Sequence, residues 1–147
     1  MEADFFTMRR RKNRKQMMQA VHSKNTTPEM LVRRTLWAAG LRYRLHCRNL
    51  PGTPDLFILK FGVAVLVNGC FWHQHGCRFT SRPKSNSDFW NNKFDANVAR
   101  DVKVLRKLSL QGCRVAVVWE CSLKRNEERS LERLVDFIRS DEEFVEI

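Results

Sequence analysis

Residues 68–77, Asn-Gly-Cys-Phe-Trp-His-Gln-His-Gly-Cys, crowd two cysteines, two histidines and an adjacent Phe-Trp pair into ten positions. Thiolate and imidazole are the donors that tetrahedral zinc prefers, and a structural site takes four of them. Cys70, His75 and Cys77, joined by Cys121 after a strand-like run, would make a Cys₃His set that clips the loop after one strand to the end of another. The C-x4-H-x-C spacing is not a common zinc-finger spacing. A second reading therefore stands beside the first, in which Cys113 and Cys121 are small buried hydrophobes and the histidines are polar loop residues. Zinc on those four would leave His73 over, and an imidazole on a fixed loop, titrating near neutrality, is suited to passing protons. Cys47 and Cys113 have no nearby partner in sequence and read as plain thiols.

Carboxylates offer a second kind of chemistry. Asp55 follows Pro-Gly-Thr-Pro at a chain corner, where its side chain could face a cleft. Magnesium binds through one or two carboxylates together with phosphate oxygens and waters, so one aspartate in a basic cleft is chemically sufficient. Glu29, in the first turn of a helix, could orient a water on that ion. Each has a structural alternative: a turn-stabilising aspartate and an ordinary helix N-terminal acid. The Glu-x-Lys pair of a common metal-dependent nuclease pattern is missing from the strand after Asp55. Phe71, Trp72 and Trp90 could be apolar wedges between base steps, as in proteins that distort DNA, or could fold back onto the core. Met17 and Met18 read as core methionines.

These groups need a scaffold. "NTTPEMLVRRTLWAAG" reads as a helix with Thr27 as N-cap, Pro28 at its first position, Gly40 as its stop, and Leu31, Leu36 and Trp37 inward. A short helix fits 15–21. "LRYRLHCR" alternates like a half-buried strand, "DLFILKFG" is a second strand, and "VAVLVN" is a central strand covered on both faces. A long helix capped by Ser87 or Asp88 places Phe94, Val98, Val102, Leu105 and Leu108 at helical spacing and ends at Gly112. "RVAVVWE" is another buried strand, and 123–139 is a last helix with Leu131, Leu134, Val135 and Ile138 inward. The order α, α, β, β, β, loop, α, β, α predicts a three-layer α/β domain around a small mixed sheet.

The bulk numbers set limits. The 147 residues, 43% hydrophobic, suit one domain over 15–147 that buries a core without disulfides, preceded by a flexible basic arm over 1–14. No apolar run approaches the roughly 18 residues of a membrane span, and the first residues lack a secretory pattern, so a cytoplasmic protein is expected. In a reducing compartment an odd count of five cysteines fits thiols or metal ligands. The net charge of +11 is uneven, with +4 over 1–15, −3 over 122–147 and the rest in the middle. Such a balance points to a polyanion, nucleic acid before membrane.

Together these residues resemble one family, the very short patch repair (Vsr) endonucleases, bacterial enzymes that nick DNA beside a T:G mismatch. The likeness rests on "PGTPDLF", "GCFWHQHGC", "FWNNKFDANVARD" and "GCRVAVVWEC", in the family's order and spacing, and covers roughly residues 15–135. It implies a fold like type II restriction endonucleases, one structural zinc on Cys70, His75, Cys77 and Cys121, and magnesium-dependent cleavage of one strand 5′ to the mismatched thymine. By motif position Asp55 resembles the metal-binding aspartate, His73 the histidine that activates water, and Glu29 the supporting acid. Phe71, Trp72 and Trp90 match the aromatics that enter the DNA, and Met18 falls where the family inserts a residue from the opposite groove. The implied partner is double-stranded DNA with a T:G mismatch, in the bacterial nucleoid, with a functional link to a cytosine-5 methyltransferase and mismatch-repair proteins. A nick needs only one active site, so a monomer is expected.

Two positions depart from that pattern. Asn68 stands where the family typically has a histidine that assists at the scissile phosphate; an amide can donate a hydrogen bond but cannot carry a proton near neutral pH. Val67 takes a place where a threonine can occur, which is harmless if the metal uses the backbone carbonyl. The alternative function is therefore a zinc-stabilised mismatch-DNA-binding protein with weak or no catalysis.

Overall fold

Two apolar runs form the centre of a five-stranded mixed sheet of order β1-β2-β3-β4-β5. The computed structural model describes residues 24–78 and 80–147. Its strands are β1 (Arg44–Leu45), β2 (Leu56–Ile58), β3 (Val63–Asn68), β4 (Arg114–Trp119) and β5 (Phe144–Glu146). β1, β2 and β3 pair antiparallel, whereas β3, β4 and β5 run parallel. The helices are α1 (Thr27–Ala38), α2 (Cys70–His73), α3 (Ser87–Leu110), α4 (Glu120–Arg125) and α5 (Glu127–Arg139).

Because strand side chains alternate, β3 and β4 supply both faces of the sheet. Leu56, Ile58, Val63, Val65, Ala116 and Val118 meet Val32 and Leu36 of α1 and Leu134 and Ile138 of α5. On the opposite face Ala64, Val115 and Val117 meet Leu108 of α3. Three layers result, and each fully buried Leu or Ile contributes roughly 1.5–3 kcal/mol.

Several boundaries differ from the sequence reading. Thr26, one residue before the expected cap, accepts the Glu29 N–H and leaves Thr27 helical. Leu31 is only half-buried and Trp37 is 55% exposed, its ring covered by the Arg42 guanidinium at 3.6 Å instead of the core. The run 41–48 yields a two-residue strand, because His46 turns into the left-handed region (φ +47) and ends the alternation. The last helix is two: Asn126 breaks it and caps α5 with its side-chain oxygen on the Arg129 N–H, leaving Cys121 in α4 and Val135 half-buried. The C-terminal β5, absent from the expected order, aligns with Val115–Val117.

In α3, Phe94 and Leu108 are fully buried, but Val98 and Val102 are 38% and 63% exposed. The middle of this apolar stripe, expected to be core, lines a cleft with Leu105. Gly52 fixes how closely the Pro-Gly-Thr-Pro turn approaches the helix: its φ is +72, and a Cβ there would lie 2.3 Å from Val104 Cγ1. Among the described residues no helix is long and apolar enough to cross a membrane. The arm 1–14, the helix expected at 15–21, Met17 and Met18 lie outside the described residues.

Candidate functional site

The carboxyl ends of β3 and β4 open into a cleft of about 690 Å³. Asp55, Val67, Asn68 and His73 line it, as do Arg100 and Asp101 of α3. Four residues expected to serve one site from four sequence positions are thus brought together.

Asp55 enters from the turn before β2. Its Oδ2 accepts the Val67 N–H at 2.7 Å, which ties the carboxylate to the end of β3. Burial is the main reason its carboxyl is pushed up from 3.8 to about 6; Glu29 adds to the rise, while the Val67 N–H, His46 and His73 oppose it. A carboxylate that burial disfavours in its charged form is one that a cation would stabilise. Glu29, 1% exposed in the first turn of α1, lies behind it. Ligand atoms of Glu29, His46 and Asp55 all lie within 4.8 Å of one another. These three residues, of which His46 was not expected, could hold a divalent cation.

His73, the last residue of α2, places Nδ1 2.6 Å from Oδ2 of Asp101. An ionised carboxylate only accepts, so Nδ1 carries the hydrogen of this contact, and in the neutral ring Nε2 is then the nitrogen with the lone pair. Asp101 was missed as a site residue because it reads as one more polar residue of α3. Its signal was its place within "FWNNKFDANVARD".

Beside the cleft, Cys70, His75, Cys77 and Cys121 gather with their ligand atoms within 4.8 Å of one another. The imidazole Nε2 of His75 is 3.3 Å from Cys70 Sγ and 3.4 Å from Cys121 Sγ. Burial pushes the Cys70 thiol up to about 12; a hydrogen bond to the Cys121 backbone opposes the rise, and the side chains of Cys77 and Cys121 add to it. Burial lowers the His75 pKa, which favours the neutral ring that ligation requires. That ring stacks on Trp119 (centroids 3.8 Å apart, planes at 12°), and Trp119 donates its indole N–H to Glu146 of β5 at 2.7 Å. This is a possible metal-binding cluster with a supporting shell. Cys47 is buried and Cys113 half-buried; neither joins it.

The aromatic residues sit on regular structure, since 70–73 is a helical turn where a loop was expected. Phe71 packs edge-on to Trp72 (5.0 Å) and to the buried Phe94 (5.1 Å), while Trp90 stacks on Phe94 at 5.7 Å. Phe71, Trp72 and Trp90 are half-buried, forming one cluster anchored on α3. Phe89, 52% exposed, adjoins Trp90, and the Lys93 ammonium lies 5.2 Å from the Trp72 ring centroid.

Comparison with known proteins shows the family of the chain. Residues 3–79 match the family model described as DNA mismatch endonuclease Vsr. The chain is 50% identical over 110 residues to the type II nicking enzyme V.XorIIP of Xanthomonas oryzae, covering 75% of this chain and 81% of that one. It is 42% identical over 136 residues to the type II nicking enzyme V.NmeAIP of Neisseria meningitidis, covering 92% and 94%. To the DNA mismatch endonuclease Vsr of Escherichia coli it is 33% identical over 123 residues, covering 84% and 79%.

Proposed function

The chain belongs to the DNA mismatch endonuclease Vsr family and is a DNA endonuclease, and from that premise we propose that it nicks one strand of duplex DNA 5′ to the thymine of a T:G mismatch. The reaction in this reading is magnesium-dependent phosphodiester hydrolysis on a restriction-endonuclease-like fold, and the cysteine-histidine cluster would hold a structural zinc. The observation that carries this reading is the convergence of Asp55, Asn68 and the His73–Asp101 pair on one cleft beside the aromatic cluster.

Asp55 would hold magnesium, supported by Glu29 and the Val67 backbone carbonyl. When bound, the ion neutralises charge on the phosphate and lowers the pKa of water. Asp101 holds His73 in the tautomer whose Nε2 accepts a proton from the attacking water. Asn68 donates a hydrogen bond at the phosphate. Phe71, Trp72 and Trp90 separate the bases at the mismatch, where unstacking costs least, and Met18 enters from the other groove. Cys70, His75, Cys77 and Cys121 would hold zinc and so fix the turn that carries Phe71, Trp72 and His73. The basic segment 1–14 adds salt-dependent attraction to phosphates ahead of the domain.

A duplex with one T:G mismatch, incubated with Mg²⁺ and with either the native chain or Asp55→Asn, tests the assignment. Native nicking that falls on the order of 10³-fold in the variant, about 4 kcal/mol, is expected. Equal nicking by both removes Asp55 from the metal site. Asn68 favours a second reading, a binder that does not cut, which requires mismatch-selective affinity with no nicking at any Mg²⁺ concentration.

A further inference from the structure

Beyond its place among the three residues that could hold a cation, His46 is tied by the fold to both carboxylates of that group. Its amide N–H donates to the Asp55 carbonyl at 3.1 Å, so the left-handed bend at the end of β1 is tied to the chain at Asp55. Its ring nitrogen Nε2 stands 3.2 Å from Oε1 of Glu29. The other Glu29 oxygen, Oε2, accepts the Asn25 N–H at 3.0 Å, and Asn25 is also left-handed (φ +56). Two non-glycine residues in that uncommon conformation thus converge on one buried carboxylate.

Glu29 Oε1 and His46 Nε2 are both buried and without an aligned hydrogen bond, and the next cation, Arg33 Nη1, is 3.9 Å from Oε1. A buried carboxylate oxygen left without a donor is destabilising. A small rotation of the imidazole supplies the donor.

We propose that His46 is a positioning residue for phosphodiester cleavage: its Nε2–H holds Oε1 of Glu29, and that contact aims the carboxylate at the cation site on Asp55. The inference rests on the roles given above to Asp55 and Glu29. It differs from direct ligation by His46, which needs Nε2 without its hydrogen.

Two measurements test it. In the magnesium-free protein, a long-range ¹H–¹⁵N spectrum of the imidazoles should show Nε2 of His46 protonated and its shift moved by Glu29→Gln; an unprotonated Nε2 overturns the proposal. His46→Gln and His46→Met meet the same left-handed backbone and have similar length, but only glutamine keeps an N–H donor. On the T:G duplex His46→Met should lose 10- to 100-fold in kcat with KM for DNA unchanged, as supporting residues of metal sites do. His46→Gln should stay within about threefold of the native rate, and His46→Met should cost nothing further in a Glu29→Gln background. Equal losses in the two His46 variants, or a full additional loss without Glu29, overturn the proposal. Failure of the native chain to nick overturns the underlying reading instead, and the ring spectrum still decides the case of His46.

Discussion

Two donor clusters flank the carboxyl end of β3, each with its ligand atoms within 4.8 Å of one another, and they are built by opposite means. Cys70, His75 and Cys77 come from eight consecutive residues just after β3, and only Cys121 arrives from elsewhere, in the first turn of α4. Glu29, His46 and Asp55 come from α1, the end of β1 and the turn before β2. The first set is soft and polarisable, suited to an ion that stays; the second is hard, with a carboxyl that burial keeps from ionising freely. The difference would separate a cluster that stabilises the fold when it holds a metal from one whose uncompensated charge works against it.

Emptying the first cluster should have the largest effect. Structural zinc sites in small domains bind with about 10–16 kcal/mol, comparable with a whole domain's stability of about 5–15 kcal/mol. Cys121→Ser, or removal of the ion by a strong chelator, should therefore abolish cooperative unfolding near 25 °C, with loss of one equivalent of zinc by elemental analysis. A metal-free chain with an unchanged melting curve would show that the four ligands are only packing groups.

The second cluster should respond in the opposite direction. Between about pH 4 and 6 folded Asp55 keeps a proton that the unfolded chain releases, so its contribution to stability falls as pH rises through that window. Above pH 6, without magnesium, the ionised group is a net burden of about 1–3 kcal/mol. Asp55→Asn keeps an acceptor for the Val67 N–H and removes the charge. In zinc-loaded, magnesium-free protein it should raise Tm by roughly 3–10 °C at pH 7.5 and by little at pH 4. A lower Tm at pH 7.5 would place Asp55 among the stabilising ion pairs.

The same contrast explains what could be read from the sequence. The sulfur cluster was legible because its spacing is local and its residue types are rare. Asp55 and Glu29 were legible through punctuation, a Pro-Gly-Thr-Pro turn and a helix start, and "VAVLVN" and "RVAVVWE" gave the central strands directly. His46 was hidden because an alternating run predicts a strand, and only the bend at φ +47 turns its ring toward Glu29. Asp101 was hidden because its partner His73 is 28 residues away. The stripe of α3 misled because a cleft wall and a core wall share one periodicity: Val98 and Val102 face open space where the sheet ends. β5 was missed because three residues at an edge carry too little pattern, although Glu146 anchors the Trp119 that stacks on His75.

Asn68 lies between the two clusters, at the last position of β3 and on the cleft wall, and gives the smallest effect. An amide stabilises charge on a phosphate oxygen by donating a hydrogen bond, which it does at any pH; an imidazolium does the same and adds charge, but only below its pKa. Asn68→His should therefore raise kcat on the T:G duplex by about 3- to 10-fold near pH 6, on the order of 1 kcal/mol, and by less at pH 8. Magnesium-free affinity for the mismatch should not change if, as proposed, the aromatic cluster on α2 and α3 sets it. A gain on the order of 100-fold would mean that the native site lacks a proton donor it was built around, and the second cluster would then be incomplete as it stands. A loss of rate would mean that the asparagine amide is matched to this cleft, with His73 and Asp101 performing the proton transfer unaided.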